Sequence, residues 1–212
     1  MLFDFYGTLA RAVAWGPTVS DVLGRWGAAL DPVAEARWND ETADGIDHAE
    51  HSVDRDAYRA WAHARFRRLA TGCGVGAADL DEVVVDLYRA SRDYVLEAYD
   101  DVPQTLAELR RRGITVAVCS NWDWDLDTAL AATGLHDLVD VCVTSARAGA
   151  RKPHPRIYEV TLRRCGVDAQ EALFVGDTWG PDVEGPRAVG IASFHLQRDA
   201  ADLRAVLDLV GV

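Results

Sequence analysis

Lysine is almost missing from this chain of 212 residues: Lys152 is the only one, and every other member of the 22 basic residues is arginine. Cysteine is sparse as well. Cys73, Cys119, Cys142 and Cys165 show no CxxC or CxxH spacing, which argues against a zinc site. Cys119 and Cys142 lie in apolar runs that read as buried strands, so reduced structural thiols are expected. No apolar stretch approaches the about 20 residues of a membrane span. The N-terminus carries neither a charged n-region nor room for a signal h-region, so a cytoplasmic location is the expectation. Positive charge is outnumbered by 34 acidic residues, giving a net charge of -12 and a pI near 4.8. Such a surface repels nucleic-acid backbones and anionic lipid, and neither partner is expected. What remains is ample for a globular fold: 49% hydrophobic and 26% charged residues can bury a sizeable core.

From about residue 100 the pattern alternates. A helix opening at Pro103 ends in Arg110, Arg111 and Arg112 before Gly113, which is helix-stop chemistry rather than an anion site. An apolar run Thr115 to Cys119, a helical stretch Asp125 to Ala132 and a second apolar run Val139 to Thr144 follow. The unit then repeats, with a helix at Pro155 to Cys165, a strand at Ala172 to Val175, a helix at Asp182 to Val189, a short strand at Ile191 to Phe194 and a final helix from Ala200. Such alternation predicts an α/β fold with a doubly wound parallel sheet, a Rossmann-like core. Residues 11–98 read differently, as successive helices at Thr18 to Leu30, Pro32 to Thr42, Asp54 to Thr71 and Asp79 to Val95 with no strand between them. The expected organisation is a core of residues 1–10 and 99–212 with an all-helical cap, 11–98, inserted after the first strand. Gly72, Gly74 and Gly76 have no strand before them and read as a helix end and turn, not a phosphate loop.

Four strand ends carry the chemistry. Leu2-Phe3-Asp4-Phe5-Tyr6-Gly7-Thr8-Leu9 sets a carboxylate at the end of the first strand, and ligands of open α/β sheets bind at that edge. Val118-Cys119-Ser120-Asn121 ends the next with a hydroxyl and an amide suited to an anionic oxygen. Arg151-Lys152-Pro153-His154-Pro155 follows the third. A chain that writes arginine elsewhere uses a compact point charge here. The fourth, Leu173-Phe174-Val175-Gly176-Asp177-Thr178-Trp179-Gly180-Pro181-Asp182, ends in two carboxylates five residues apart. Taken singly, each is ordinary turn or cap material.

Together and in this order, Asp-x-Tyr-Gly-Thr, Ser-Asn, Lys-Pro and Gly-Asp-x4-Asp resemble the four motifs of the haloacid dehalogenase-like hydrolase superfamily, in the subgroup with a helical cap after the first strand. The resemblance covers nearly the whole chain. It implies a magnesium-dependent hydrolase acting on a small phosphorylated substrate. It casts Asp4 as a nucleophile that forms an aspartyl intermediate, with Thr8, Ser120 and Asn121 at the substrate and Lys152 screening its charge. Asp4, the Tyr6 carbonyl, Asp177 and Asp182 would hold Mg²⁺. A monomer or homodimer is expected.

One position departs from the pattern. Phosphatases of the family usually carry a second Asp two residues after the nucleophile, where this chain has Tyr6. Tyrosine there is similar to the family's haloacid dehalogenases, which work without metal, so dehalogenation by Asp4 is the rival reading and a non-catalytic binding or regulatory role a third. The paired acids of the fourth motif favour the cation and phosphoryl chemistry. Without a carboxyl group at position 6, substrates with good leaving groups are expected, unless His48 or His51, in a polar turn with Glu50, swings in from the cap. Trp15, Trp38, Trp61, Trp122, Trp124 and Trp179 are read as packing surface rather than ligand stacks. Only three residues precede Asp4, fewer than a central strand normally uses, which points to a start upstream of Met1 or a missing leading tag.

Overall fold

The computed structural model describes residues 1–210. In chain order the strands are β1 (Leu2–Phe3), β2 (Ala10–Trp15), β3 (Tyr94–Ala98), β4 (Ala117–Ser120), β5 (Val141–Thr144), β6 (Leu173–Gly176) and β7 (Ala192–His195). The α-helices are α1 (Val19–Arg25), α2 (Pro32–Asp40), α3 (Arg55–Gly72), α4 (Leu80–Ala90), α5 (Val102–Arg111), α6 (Leu126–Ala132), α7 (Ser145–Ala148), α8 (Pro155–Cys165) and α9 (Gly185–Ala188). The chain divides into two compact units, one of Met1–Arg11, Asp44–Ser52 and everything from Leu96 onward, the other of Ala12–Ala43 and Val53–Val95.

The first unit is built on a five-stranded sheet in the order β5-β4-β1-β6-β7. Its neighbours all pair in parallel, with Phe3 level with Val118 on one side and Val175 on the other. Because β1 sits between β4 and β6, the residues that follow these three strands emerge side by side at one carboxyl edge. That edge is where an open α/β sheet presents ligands. The strands are nearly pure apolar runs because both faces are covered: Leu2, Phe3, Ala117, Val118, Phe174 and Val175 are all at most 1% exposed. The α/β, doubly wound parallel reading therefore holds. Helix α8 starts with Pro155 in its first turn and ends at Gly166, whose φ of 67° is the left-handed stop.

The second unit packs α1, α3 and α4 around Val22, Leu23, Phe66, Leu69, Val83, Val84 and Leu87. Thr18 and Asp21 form a reciprocal capping box on α1, Asp31 caps α2, and Asp54 caps α3. Arg65 is buried between the rings of Trp38 and Trp61, at 5.0 and 5.1 Å, and donates to Glu41 at 3.0 Å and to the Trp38 carbonyl at 2.7 Å. Those two tryptophans pack around a cation, as their reading as packing surface anticipates.

Three readings of the insert need correction. β2 and β3 form a two-stranded sheet, so strands do occur between residues 11 and 98. The helix expected to run to Val95 stops at Ala90, because Ser91, Arg92 and Asp93 break the apolar stripe and the chain re-enters as β3. Residues 44–52 belong to the first unit and not with the helices on either side. Near the C-terminus, the expected helix at Asp182 is a wide π-type turn, Trp179–Glu184, leading into α9, and the final helix is a 3₁₀ segment, Leu203–Asp208.

Candidate active site

Asp4 leaves β1 with its N–H bonded to the Val175 carbonyl at 2.9 Å, so its position is set by the sheet itself. Asp4 is 7% exposed, and two donors converge on Oδ1 of its carboxylate: Ser120 Oγ at 2.8 Å and Lys152 Nζ at 2.6 Å. Lys152, 2% exposed, reaches Asp182 Oδ1 at 2.6 Å as well, and Asp182 Oδ2 accepts the Thr178 N–H at 3.0 Å. Asp177 completes the group. One oxygen from each of Asp4, Asp177 and Asp182 lies within 4.8 Å of the others, an arrangement able to hold a metal ion.

The electrostatics follow from one ammonium serving several carboxylates. Burial alone would lower the Lys152 pKa, but Asp4 and Asp182 outweigh it and push it above its ordinary value. Burial, with repulsion from Asp4, raises Asp182 to about 6 despite the Lys152 contact, and raises Asp177 as well. The carboxylates thus carry more negative charge than Lys152 neutralises. Cys119 beneath them is pushed up to about 12 by burial, which makes it an inert thiol.

Two glycines allow this crowding. A Cβ on Gly176 would lie 2.4 Å from the Asp182 carboxyl group, and one on Gly7 would lie 2.4 Å from Asp177 Oδ2. Gly7 also has φ 84°, which excludes ordinary side chains.

The residues expected from sequence do meet here, though not all in the expected way. Asp4, Tyr6, Ser120, Asn121, Lys152 and Asp182 line one cavity of about 210 Å³, with Asp44, Arg151, Thr178 and Pro181. Thr8 is different: it is fully buried, and its hydroxyl donates to Asp177 Oδ1 at 3.0 Å, which orients that carboxylate. Asn121 accepts the Lys152 N–H at 2.6 Å and donates to the Lys152 carbonyl at 3.1 Å, so both ends of its amide lock the lysine backbone. The Tyr6 ring is 40% exposed and lies 6.4 Å from Trp122, which packs edge-on against Phe5 at 5.3 Å. His48 is not among the residues that line this cavity. It is 4% exposed, tied to Ser52 Oγ at 3.0 Å, and burial lowers its pKa to about 4.

Sequence reasoning missed Asp44 and Arg198. Arg198 donates from Nε to the Thr8 carbonyl at 3.0 Å and from Nη1 to both oxygens of Asp101 at 2.9 and 2.7 Å, steadying the loop after Asp4. Nothing marks either residue out in a chain so rich in Asp and Arg.

A family model described as haloacid dehalogenase-like hydrolase matches residues 1–190, and the chain belongs to that family of hydrolases. Haloacid dehalogenase-like hydrolase domain-containing protein 3 of Homo sapiens is 31% identical, over 87% of this chain and 80% of that one. A protein of Mycobacterium tuberculosis named as a phosphatase is 30% identical, over all of this chain and 97% of its own. A phosphatase structure from Thermococcus onnurineus superposes with a TM-score of 0.63 at 24% identity, covering 97% of this chain and 96% of that one. No helix among the described residues is long and apolar enough to cross a membrane.

Proposed function

We propose that this hydrolase is a magnesium-dependent phosphatase of small phosphorylated metabolites, working through an aspartyl-phosphate on Asp4. The observation that carries the reading is the convergence of Asp4, Asp177 and Asp182 beside a buried Lys152. Three oxygen donors carrying excess negative charge fit a hard divalent cation, and Asp4, Asp177 and Asp182 would hold it, with the Tyr6 carbonyl as a further oxygen ligand. Mg²⁺ bound there would draw charge from the phosphoryl oxygens. The named phosphatase among the relatives supports the same reaction class.

The chain's own residues supply the rest. Ser120 and Lys152 both grip Oδ1 of Asp4, which fixes the side-chain rotamer and aims the carboxylate into the cavity. When a phosphate ester binds, the Asp4 carboxylate attacks phosphorus and the ester bond breaks. Lys152 offsets repulsion between that carboxylate and the anionic substrate. Asn121, by holding both ends of the Lys152 peptide, keeps the ammonium in place.

The rival is dehalogenation of a 2-haloacid, which Tyr6 at the cavity favours. Purified protein assayed on phosphate esters and 2-haloacids, with Mg²⁺ and with excess chelator, separates the two. Ester hydrolysis should require Mg²⁺, and Asp4→Asn should abolish it with the fold intact, because an amide keeps the shape and loses the nucleophile. Haloacid turnover undiminished by chelator would replace the phosphatase reading with the other.

A further inference from the structure

Phosphate ester hydrolysis needs a proton donor for the leaving alkoxide and then a base for the attacking water. A phenol is a poor substitute for a carboxyl group in either task, and a phenol is what position 6 offers. Among the groups lining the cavity, Asp4 is the nucleophile, Asp182 is tied to Lys152, and Lys152 is shared between two carboxylates. The remaining carboxylate is Asp44, an exposed residue that directly precedes a segment fastened by backbone bonds. Gly45 N–H donates to the Lys152 carbonyl at 3.1 Å, Arg151 N–H to the Ile46 carbonyl at 2.9 Å, and His48 N–H to the Gly149 carbonyl at 2.8 Å. This antiparallel ladder fastens residues 45–48 to 149–152. Asp47 is clamped by Arg156 at 2.8 Å, and a Cβ on Gly149 would fall 2.7 Å from Ala49 Cα, so the packing is close. Asp44 Oδ1 accepts from the Asn121 amide at 3.3 Å, the same amide that locks Lys152.

Resting on the phosphatase reading, we infer that Asp44 is the proton-transfer residue of this site, entering from the inserted segment instead of from position 6. In the first step Asp4 forms a bond to phosphorus, the ester P–O bond breaks, and the leaving oxygen takes the proton of the Asp44 carboxyl group. In the second, Asp44 carboxylate takes a proton from water as that oxygen attacks phosphorus. The P–O bond to Asp4 then breaks, phosphate leaves, and Asp44 is again protonated.

The test compares 4-nitrophenyl phosphate, whose leaving group needs little protonation, with glycerol phosphate, whose alkoxide needs much. Asp44→Asn should lower kcat on glycerol phosphate by at least about 100-fold. On nitrophenyl phosphate it should give a burst of nitrophenolate followed by slow turnover, because phosphorylation proceeds and water attack stalls. Added formate should restore part of the turnover of Asp44→Ala. Equal losses on both esters without a burst, a change in KM alone, or no formate rescue in a folded Asp44→Ala protein would overturn the assignment. Failure of the phosphatase reading looks different: wild type inactive on both esters, or Asp4→Asn as active as wild type, removes the reaction in which Asp44 takes part.

Discussion

At the scale of single residues, the site rests on buried side chains that hold its carboxylates in place. Thr8 is the clearest. It sits four residues after the nucleophile, has no solvent exposure, and spends its hydroxyl proton on Asp177. Asp177 has a raised pKa from burial and from Asp4, so each donor it retains favours the anionic form that a cation would bind. Thr8→Val keeps the shape and removes the donor. Outer partners of this kind typically contribute 10–100-fold in metal affinity or activity. The expected outcome is a roughly 10-fold or greater increase in the Mg²⁺ concentration needed for half-maximal turnover, with the maximal rate less affected. A Mg²⁺ titration of ester hydrolysis reads this directly, and an unchanged midpoint would show that Asp177 does not need Thr8. The motif Asp-x-Tyr-Gly-Thr marks Thr8 in the sequence, but its hydroxyl points to a carboxylate 169 residues away. No local pattern carries that information.

At the scale of elements, legibility followed periodicity. The sheet strands were readable because burial on both faces makes them apolar runs, and α8 because Pro155 and Gly166 bracket it. β2 was not, since most of its side chains face solvent and Arg11 interrupts the run, and β3 was hidden in the tail of a helical pattern. Residues 44–52 were least legible of all. They are polar, lack a period, and are placed by backbone bonds to residues about a hundred positions away. That segment nevertheless makes a pH-dependent contribution. Burial holds His48 neutral with a pKa of about 4, with Arg151 lowering and Asp47 raising it, against about 6.5 for a free histidine. Between those values the unfolded chain binds more protons than the folded one, so stability is full above about 6.5 and declines as pH falls toward 4. The loss reaches at most about 3.5 kcal/mol, since each pH interval of one between the two values is worth about 1.4 kcal/mol. Asp177 and Asp182, with raised values, act in the opposite direction, so the contribution is isolated by difference. Urea unfolding at pH 7 and pH 4.5 should show a larger acid loss in wild type than in His48→Gln. Parallel pH profiles would mean that His48 titrates normally.

At the scale of the whole molecule, the chain carries a net charge of -12 and concentrates three of its carboxylates around one buried lysine. Raised pKa values at Asp177 and Asp182 mean that folding works against charge there, a local destabilisation that a divalent cation would relieve. A ligand that binds only the folded state stabilises it by about 2.7 kcal/mol at 100 times its Kd. For a chain of this size each kcal/mol moves Tm by roughly 2–4 °C. Saturating Mg²⁺ should therefore raise Tm by several degrees without any substrate present. General screening of a -12 surface would also raise it, so the comparison is with NaCl at matched ionic strength. The decisive arm is Asp177→Asn, which removes one ligand oxygen's charge and leaves the surface charge nearly unchanged. The wild-type protein should gain several degrees from Mg²⁺ beyond the NaCl control, and Asp177→Asn should gain little. If NaCl reproduces the whole shift, or the variant responds as wild type does, the acidic cluster is not where the cation acts.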